Sequence, residues 1–192
     1  MKKIEKSTSE YFAVAALLLC IWSSFIHAAP PESYPVPPET EQLLFYLQRS
    51  ANSNTIIYDA NLQTDGKLNS KQPVKVYWLR YNTTGERRKL NFAERNFAYG
   101  LNFEPTEKPG VYLVNLMAYS ERDITVFVGA DGNVEAHTII NGQAARLKRI
   151  YIDVSGSGFW SSVNSIELTG VALHNGKEIT ERFDPNEERS GF

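Results

Sequence analysis

Short turn-forming dipeptides divide most of this chain into runs too brief for long helices. The turns are Asp65-Gly66, Thr84-Gly85, Asp131-Gly132, Asn141-Gly142 and Asn175-Gly176. Asparagine, aspartate and glycine tolerate the positive φ that tight hairpins require. The runs between them, rich in β-branched and aromatic residues, cover residues 43–49, 54–61, 74–81, 111–118, 124–129, 134–140, 147–154, 163–174 and 178–183. This spacing predicts a mainly β fold, an antiparallel β-sandwich or barrel of about eight to nine strands with one short helix.

Two segments carry helical signals. Leu90, Glu94, Phe97 and Leu101 recur at helical spacing, which predicts one short helix packed across the sheet or plugging an end of the barrel. Gly100 is placed to act as its C-cap. The first run, 43–49, keeps an alternative, because the prolines and acidic residues at 37–41 also suit the start of a helix.

The amino terminus has the three parts of a secretory signal. Basic residues at positions 2, 3 and 6 precede an apolar run at 11–22, and small residues lead to Pro30. The run is shorter than the roughly 20 residues of a membrane-spanning helix, which argues against the alternative of an uncleaved anchor. Cleavage after Ala28 is expected, with export to the periplasm or medium. Leu19 is too large to precede a lipidated cysteine, so Cys20 is assigned to the removed signal, and no cysteine follows it.

The chain that follows the signal peptide is predicted to form one domain. The predicted organisation is a signal peptide at 1–28, a proline-rich spacer at 29–42, a single β domain at 43–185 and a tail at 186–192. The whole chain has a formal net charge of −2, and no block of five or six like charges occurs in it. A strong basic patch is typical of nucleic-acid and polybasic membrane-surface proteins. The absence of such a block argues against both classes, so no nucleic-acid partner is expected, and no stable membrane span is expected after signal cleavage.

Four blocks of sequence resemble an uncharacterised family. They are Gln-Arg-Ser at 48–50 with Asn-Thr-Ile at 54–56, Tyr-Trp-Leu-Arg-Tyr at 77–81, Phe-Ala-Tyr-Gly at 97–100, and the stretch 166–183. Together they are similar to the domain of unknown function 4833, over about residues 43 to 183. The resemblance implies an exported bacterial domain and assigns no activity or role to any residue.

Two arginines end apolar rows on predicted strands. Side chains alternate along a strand, so Arg49 follows Leu47 and Arg80 follows Trp78 on one face. Two guanidinium groups at the rim of a core would bind a ligand carboxylate or phosphate. Arg49, Arg80, Asp59 and Trp78 are therefore the candidate ligand-binding residues. The alternative is that the arginines pair with Asp59 or extend to water.

The sequence gives weaker support for metal binding or catalysis. Glu135 and His137 lie on one strand face, but a zinc site needs at least three protein ligands, and His174 lies on a different strand. No Gly-x-Ser-x-Gly, P-loop or Gly-x-Gly-x-x-Gly occurs. No metal or cofactor is therefore expected. Phe159 and Trp160, on a Gly/Ser-rich tether, either close one end of the core, form a lid over a cavity, or contact a partner or membrane.

Three functions follow from these patterns. The first is an exported, non-enzymatic binding module for an anionic or amphipathic small molecule, with Arg49 and Arg80 at its mouth. The second is a structural or interaction protein of the cell envelope, whose partner is another envelope protein. The third is an uncharacterised hydrolase near His137, His174 or an acidic pair, and it lacks any catalytic signature.

Overall fold

The computed structural model describes residues 34–156 and 162–186. The signal peptide, Cys20, Phe159 with Trp160, and most of the predicted tail lie outside these residues. Within the described part, no helix is long and apolar enough to cross a bilayer.

Eleven strands form one curled, mixed sheet with the shape of a half-barrel. The strands are β1 Leu43–Arg49, β2 Asn52–Ala60, β3 Val74–Leu79, β4 Arg87–Lys89, β5 Leu101–Pro105, β6 Tyr112–Leu116, β7 Tyr119–Val128, β8 Val134–Ile140, β9 Gln143–Ser155, β10 Ser162–Ala172 and β11 Glu178–Phe183. The helix α1 is Phe92–Phe97. Within the described residues the predicted mainly β fold with a short helix is confirmed, and the run at 43–49 is a strand.

The main path through the sheet runs β4-β3-β2-β1-β9-β8-β7-β6-β5, and β10 joins β9 and β11 beside it. The long strand β9 is the junction, because one edge pairs with β10 while the other pairs first with β8 and then with β1. The β1–β9 pair is parallel and the other pairs are antiparallel. The sheet is therefore mixed rather than antiparallel as predicted. Strands joined by hairpins must be antiparallel, whereas β1 and β9 are remote in sequence and free of that constraint.

The concave face of the curl holds the core. Alternation along β1 and β2 places Phe45, Leu47, Ile56 and Tyr58 on this face, each with at most 1% of its surface exposed. The rings of Phe45 and Tyr58 stack with centroids 4.4 Å apart. Burial of each such side chain contributes about 1.5–3 kcal/mol to stability.

The first described residues cover the outer face of the same strands. Gln48 donates from Nε2 to the Pro35 carbonyl at 3.0 Å, and the rings of Tyr34 and Tyr151 lie 6.0 Å apart. Pro37 is buried. Part of the predicted spacer therefore packs on β1 and β9.

The helix is held by its flanks rather than by its own side chains. No residue of α1 is buried, whereas Leu90 just before it is 5% exposed. Phe97, which the helical spacing placed toward the sheet, is 71% exposed. The C-cap is Ala98, so the prediction of a Gly100 cap was wrong. The helix ends earlier than the spacing indicated because β5 starts at Leu101.

Candidate functional site

The half-barrel has an opening between its two ends, β4 and β5. Strand β3 pairs with β4 over residues 77–79 alone, so residues 74–76 have no β4 partner. Strand β5 pairs with β6 on one edge. A groove of about 750 Å³ lies at this opening, lined by β3 and β4 on one side and by β5 and β6 on the other.

The groove is basic, and we call it the basic groove. Its cationic lining residues are Lys71, Lys75, Arg87, Arg88, Lys89 and Arg95. No aspartate or glutamate belongs to the lining. Its apolar wall is formed by Val74, Val76, Leu90, Leu101, Phe103 and Val114. The arrangement therefore combines concentrated positive charge with an apolar surface.

Three of these cations have partners within the fold. Arg88 donates from Nη2 to Glu94 Oε1 at 2.5 Å, and Arg95 donates from Nη2 to the Leu90 carbonyl at 3.4 Å. The Arg87 guanidinium lies 4.7 Å from the centre of the Tyr77 ring. These contacts fix the direction of the arginine side chains.

The three lysines are exposed to solvent. Among residues 34–156 and 162–186, no carboxylate forms an ion pair with Lys71, Lys75 or Lys89. Their charge is therefore available to a ligand.

The start of α1 positions Arg88. Asn91 accepts a hydrogen bond from the Glu94 backbone N–H at 2.8 Å, and Glu94 Oε2 accepts one from the Asn91 backbone N–H at 2.8 Å. This reciprocal capping box holds the Glu94 carboxylate where Arg88 reaches it. Burial alone would raise the pKa of Glu94, but the hydrogen bonds from Asn91 and Arg88 outweigh it and lower that pKa. Glu94 is therefore an anion that orients the groove wall.

Gly100 allows the helix and β5 to meet. A Cβ at this position would lie 1.8 Å from the Arg95 carbonyl oxygen, far inside van der Waals contact. The residue is needed for this close approach. Because Gly100 and Arg95 both line the basic groove, their contact forms part of its wall.

Two of the predicted ligand-binding residues lie behind the basic groove. Arg49 donates from Nη1 to the Tyr99 hydroxyl at 2.5 Å, and its guanidinium lies 5.2 Å from the Trp78 ring centre and 5.3 Å from that of Tyr99. Trp78 is 4% exposed, and the Arg88 guanidinium lies 5.9 Å from its ring centre. Trp78 therefore links Arg49 to a cation of the groove.

Asp59 and Arg80 do not line the basic groove, although Asp59 borders it as the cross-strand neighbour of Lys75. Asp59 points to the opposite face of β2 from Tyr58, where it accepts a hydrogen bond from the Tyr77 hydroxyl at 2.8 Å. Burial, together with this bond to a carboxylate, raises the pKa of Tyr77. Arg80 is half-buried at the turn after β3, and its carbonyl accepts from the Thr83 and Gly85 backbones. The structure does not bring Arg49, Arg80 and Asp59 together.

The histidines have local contacts. His137 contacts the Glu135 carboxylate and the edge of the Phe127 ring. His174 lies within 2.8 Å of the Asn175 amide nitrogen. In the described ranges, no group of three or more His, Cys, Asp or Glu side chains is arranged to hold a metal ion.

A second cavity, of about 250 Å³, lies inside the curl. Its lining is mostly apolar and includes Leu47, Ile150 and Leu168. Arg122 also lines it, and its guanidinium donates to Glu181 at 2.9 Å and to the Ile139 carbonyl at 2.8 Å. Arg49 and Arg80 are not among the lining residues.

A family comparison identifies the domain. The sequence profile of a family described as "Domain of unknown function (DUF4833)" matches residues 45–182. The chain belongs to the DUF4833 family. The resemblance found in the sequence is thereby confirmed. Neither a curated protein nor a solved structure matches this chain.

The basic groove lies wholly within the DUF4833 match, because its lining residues fall between positions 71 and 114. Sequence reasoning missed this site in the DUF4833 domain. Its cations come from a loop, two strands and a helix, so they form no long block of charge. The one available signal was the triplet Arg87-Arg88-Lys89, which became recognisable as a groove wall only once β4 was known.

Proposed function

We propose that this DUF4833 domain is a non-enzymatic binding module that holds an anionic, amphipathic small molecule in the basic groove. The observation that carries the proposal is that six lysine and arginine residues, and no aspartate or glutamate, line one groove of a chain whose net charge is −2. Arg88 is the one of these six that the structure pairs with a carboxylate, that of Glu94, within the described residues. A groove of about 750 Å³ is within the range of roughly 300–1,000 Å³ that small-molecule sites occupy.

The chemistry of the lining suits a ligand with two unlike ends. Guanidinium and ammonium groups bind carboxylate, sulfonate or phosphate oxygens through charge-assisted hydrogen bonds. The opposite wall, with Leu101, Phe103 and Val114, offers apolar contact to a hydrocarbon or aromatic body. Arg88 is already held in place by Glu94, so less ordering accompanies binding.

The unpaired strand edges at the opening of the half-barrel suggest a role other than ligand binding for the lysines of the basic groove. Charged residues, lysine above all, are common on edge strands because they discourage edge-to-edge association. Such a role would account for Lys75 and Lys89. It predicts aggregation, without a change in ligand affinity, when the lysine charges are removed.

The test uses anilinonaphthalene sulfonate, an anionic aromatic probe whose fluorescence rises on binding. Titration of the domain with this probe is expected to saturate, and decanoate is expected to displace it more effectively than the uncharged decanol. A combined Lys71→Gln, Lys75→Gln and Lys89→Gln variant should bind the probe roughly tenfold more weakly.

The control carries Lys108→Gln, Lys148→Gln and Lys177→Gln, which remove the same charge from exposed positions outside the basic groove. It should bind the probe as the unmodified domain does. Absence of saturable binding, or equal loss in both triple variants, would contradict the proposal. A groove variant that aggregates yet keeps its affinity would instead support edge protection.

We also propose that the protein is exported to the periplasm or medium. Support comes from the signal pattern of residues 1–28. Amino-terminal sequencing of the protein isolated from its host is expected to begin at Ala29, and a start at Met1 would contradict cleavage.

A further inference from the structure

We propose that the protein docks on the surface of an anionic lipid bilayer through Phe92 and Phe97 of α1, beside the basic groove. This inference rests on the proposed function and deepens it, because it names a membrane lipid as the amphipathic anion and the bilayer as its source.

Two large aromatic side chains stand together in solvent. Phe92 is 77% exposed and Phe97 is 71% exposed, and their ring centroids lie 6.3 Å apart with the rings nearly perpendicular. Exposed apolar groups that cluster in this way mark interaction sites. The capping box and the buried Leu90 hold α1 in place without any contribution from these two rings.

The aromatic pair shares α1 with one cation of the basic groove. Arg95 lies between the two phenylalanines in the sequence of α1 and lines the basic groove. Phe103, on the apolar wall, is 39% exposed and extends the apolar surface along the groove. Aromatic side chains beside a basic surface match a bilayer, which places acyl chains just beneath anionic headgroups.

The acidic residues nearby do not cancel this match. Glu94 is engaged by Arg88 and by the Asn91 backbone, so its charge is balanced within the fold. Glu104 follows Phe103 on β5 and points to the other side of the strand. A bilayer supplies both anionic groups for the cations and apolar chains for the two phenyl rings, which favours it as the occupant.

The expected contact is shallow and reversible. α1 has six residues, too few for an amphipathic helix that lies in the bilayer along its length. Insertion is therefore limited to the two rings, and attraction between the cations and the headgroups supplies the rest. Such binding weakens as salt screens the charges.

Co-sedimentation with vesicles tests the proposal. We expect the full-length mature protein to bind phosphatidylcholine vesicles that contain about one-third phosphatidylglycerol, and to bind pure phosphatidylcholine vesicles at least tenfold more weakly. The Phe92→Ser, Phe97→Ser variant should lose roughly tenfold in binding to the anionic vesicles. The matched control, Ile139→Ser with Leu173→Ser, alters side chains that are 50% and 49% exposed and should bind as the unmodified protein does.

The soluble probe separates this proposal from the previous one. Anilinonaphthalene sulfonate should still saturate the phenylalanine variant, and a single cooperative thermal transition like that of the unmodified protein shows that the variant is folded. If the probe binds but anionic vesicles do not, the docking surface is wrong and the groove stands. Equal binding to neutral and anionic vesicles, or undiminished binding by the phenylalanine variant, also overturns the docking surface. If neither probe nor vesicles bind, both proposals fail.

Discussion

Arg49 is surrounded by aromatic groups rather than by acids. Its guanidinium bonds to the Tyr99 hydroxyl and lies beside the rings of Trp78 and Tyr99. Favourable contact of a cation with a ring face contributes about 0.5–2 kcal/mol, depending on exposure to water. Tyr58, whose hydroxyl donates to the Tyr99 carbonyl at 3.0 Å, fixes the backbone beneath it. The described contacts of Arg49 thus tie β1 to the segment that follows α1.

We expect Arg49→Ala to lower the free energy of unfolding by about 2 kcal/mol, because it removes a charged hydrogen bond and two ring contacts. Arg49→Lys should recover less than half of this, since a compact ammonium lacks the planar guanidinium that bonds to the Tyr99 hydroxyl while it contacts both rings. Urea denaturation measures both changes. Arg146→Ala, at an exposed position, is the control and should change stability by less than about 0.5 kcal/mol. Equal losses for Arg49→Ala and the control would contradict this view of Arg49.

At the scale of elements, the join between α1 and β5 shapes one end of the basic groove. The helix is short and buries no side chain, so its position depends on the Asn91 cap at its start and on Gly100 after its end. The Gly100 backbone also accepts a hydrogen bond from the Met117 N–H at 2.9 Å. A change at this join is therefore transmitted to β6 as well as to the groove.

Gly100→Ala is expected to destabilise the domain by about 2 kcal/mol and to weaken probe binding, because the new Cβ would displace either the Arg95 carbonyl or the start of β5. Thermal unfolding and the fluorescence titration measure the two effects. Gly132→Ala is the comparison. Gly132 has φ of +85° and no atom within 4 Å of a Cβ, so we expect a loss of about 1 kcal/mol and unchanged probe binding. An unaltered affinity in Gly100→Ala would show that the join does not shape the groove.

Local patterns predicted the elements well where turns and alternation agree. Strand β8, between Asp131-Gly132 and Asn141-Gly142, has the predicted limits. The prediction missed β4, because three basic residues carry no β signal, and β5, which is mostly exposed and ends at Pro105. The exposure of Phe97 was not predictable from periodicity, because periodicity shows which residues share a face but not whether anything covers it.

The candidate site was less predictable than the fold. Side-chain alternation predicted that Arg49 lies on the same face of β1 as Leu47. In the structure, however, the pairing of β1 with β2 shifts register between these two residues. The groove cations meet because the sheet curls until its two ends approach each other. Curling and parallel pairing depend on contacts between distant residues, and neither leaves a mark in a short window of sequence.

At the scale of the whole molecule, buried and partly buried tyrosines couple stability to alkaline pH. Burial is the main reason that the pKa values of Tyr46, Tyr58, Tyr77, Tyr81, Tyr99 and Tyr151 are raised. For Tyr151 the pKa rises to about 12. In the unfolded chain these phenols lose their protons near pH 10, so above that pH the unfolded state binds fewer protons than the folded state.

The free energy of unfolding should therefore be unaffected by these tyrosines below about pH 10 and fall steadily above it. Urea denaturation at a series of alkaline pH values measures the slope. Tyr58→Phe removes one fully buried phenol and should make the fall shallower, even though the variant is less stable near neutral pH. A slope that is the same with and without Tyr58 would contradict this account.

The parallel pairing of β1 with β9 has a consequence for how the chain folds. Tyr46 and Arg149 are neighbours in the sheet although about one hundred residues separate them, and contacts of that span slow folding. A chain that emerges amino terminus first has β1, β2 and β3 long before β9 is available. During that interval the edge of β1 has no partner, and an unpaired edge invites association with other chains. Aggregation through the edge of β1, in the first third of the sequence, therefore remains possible until β9, in the last third, has been synthesised and has paired with it.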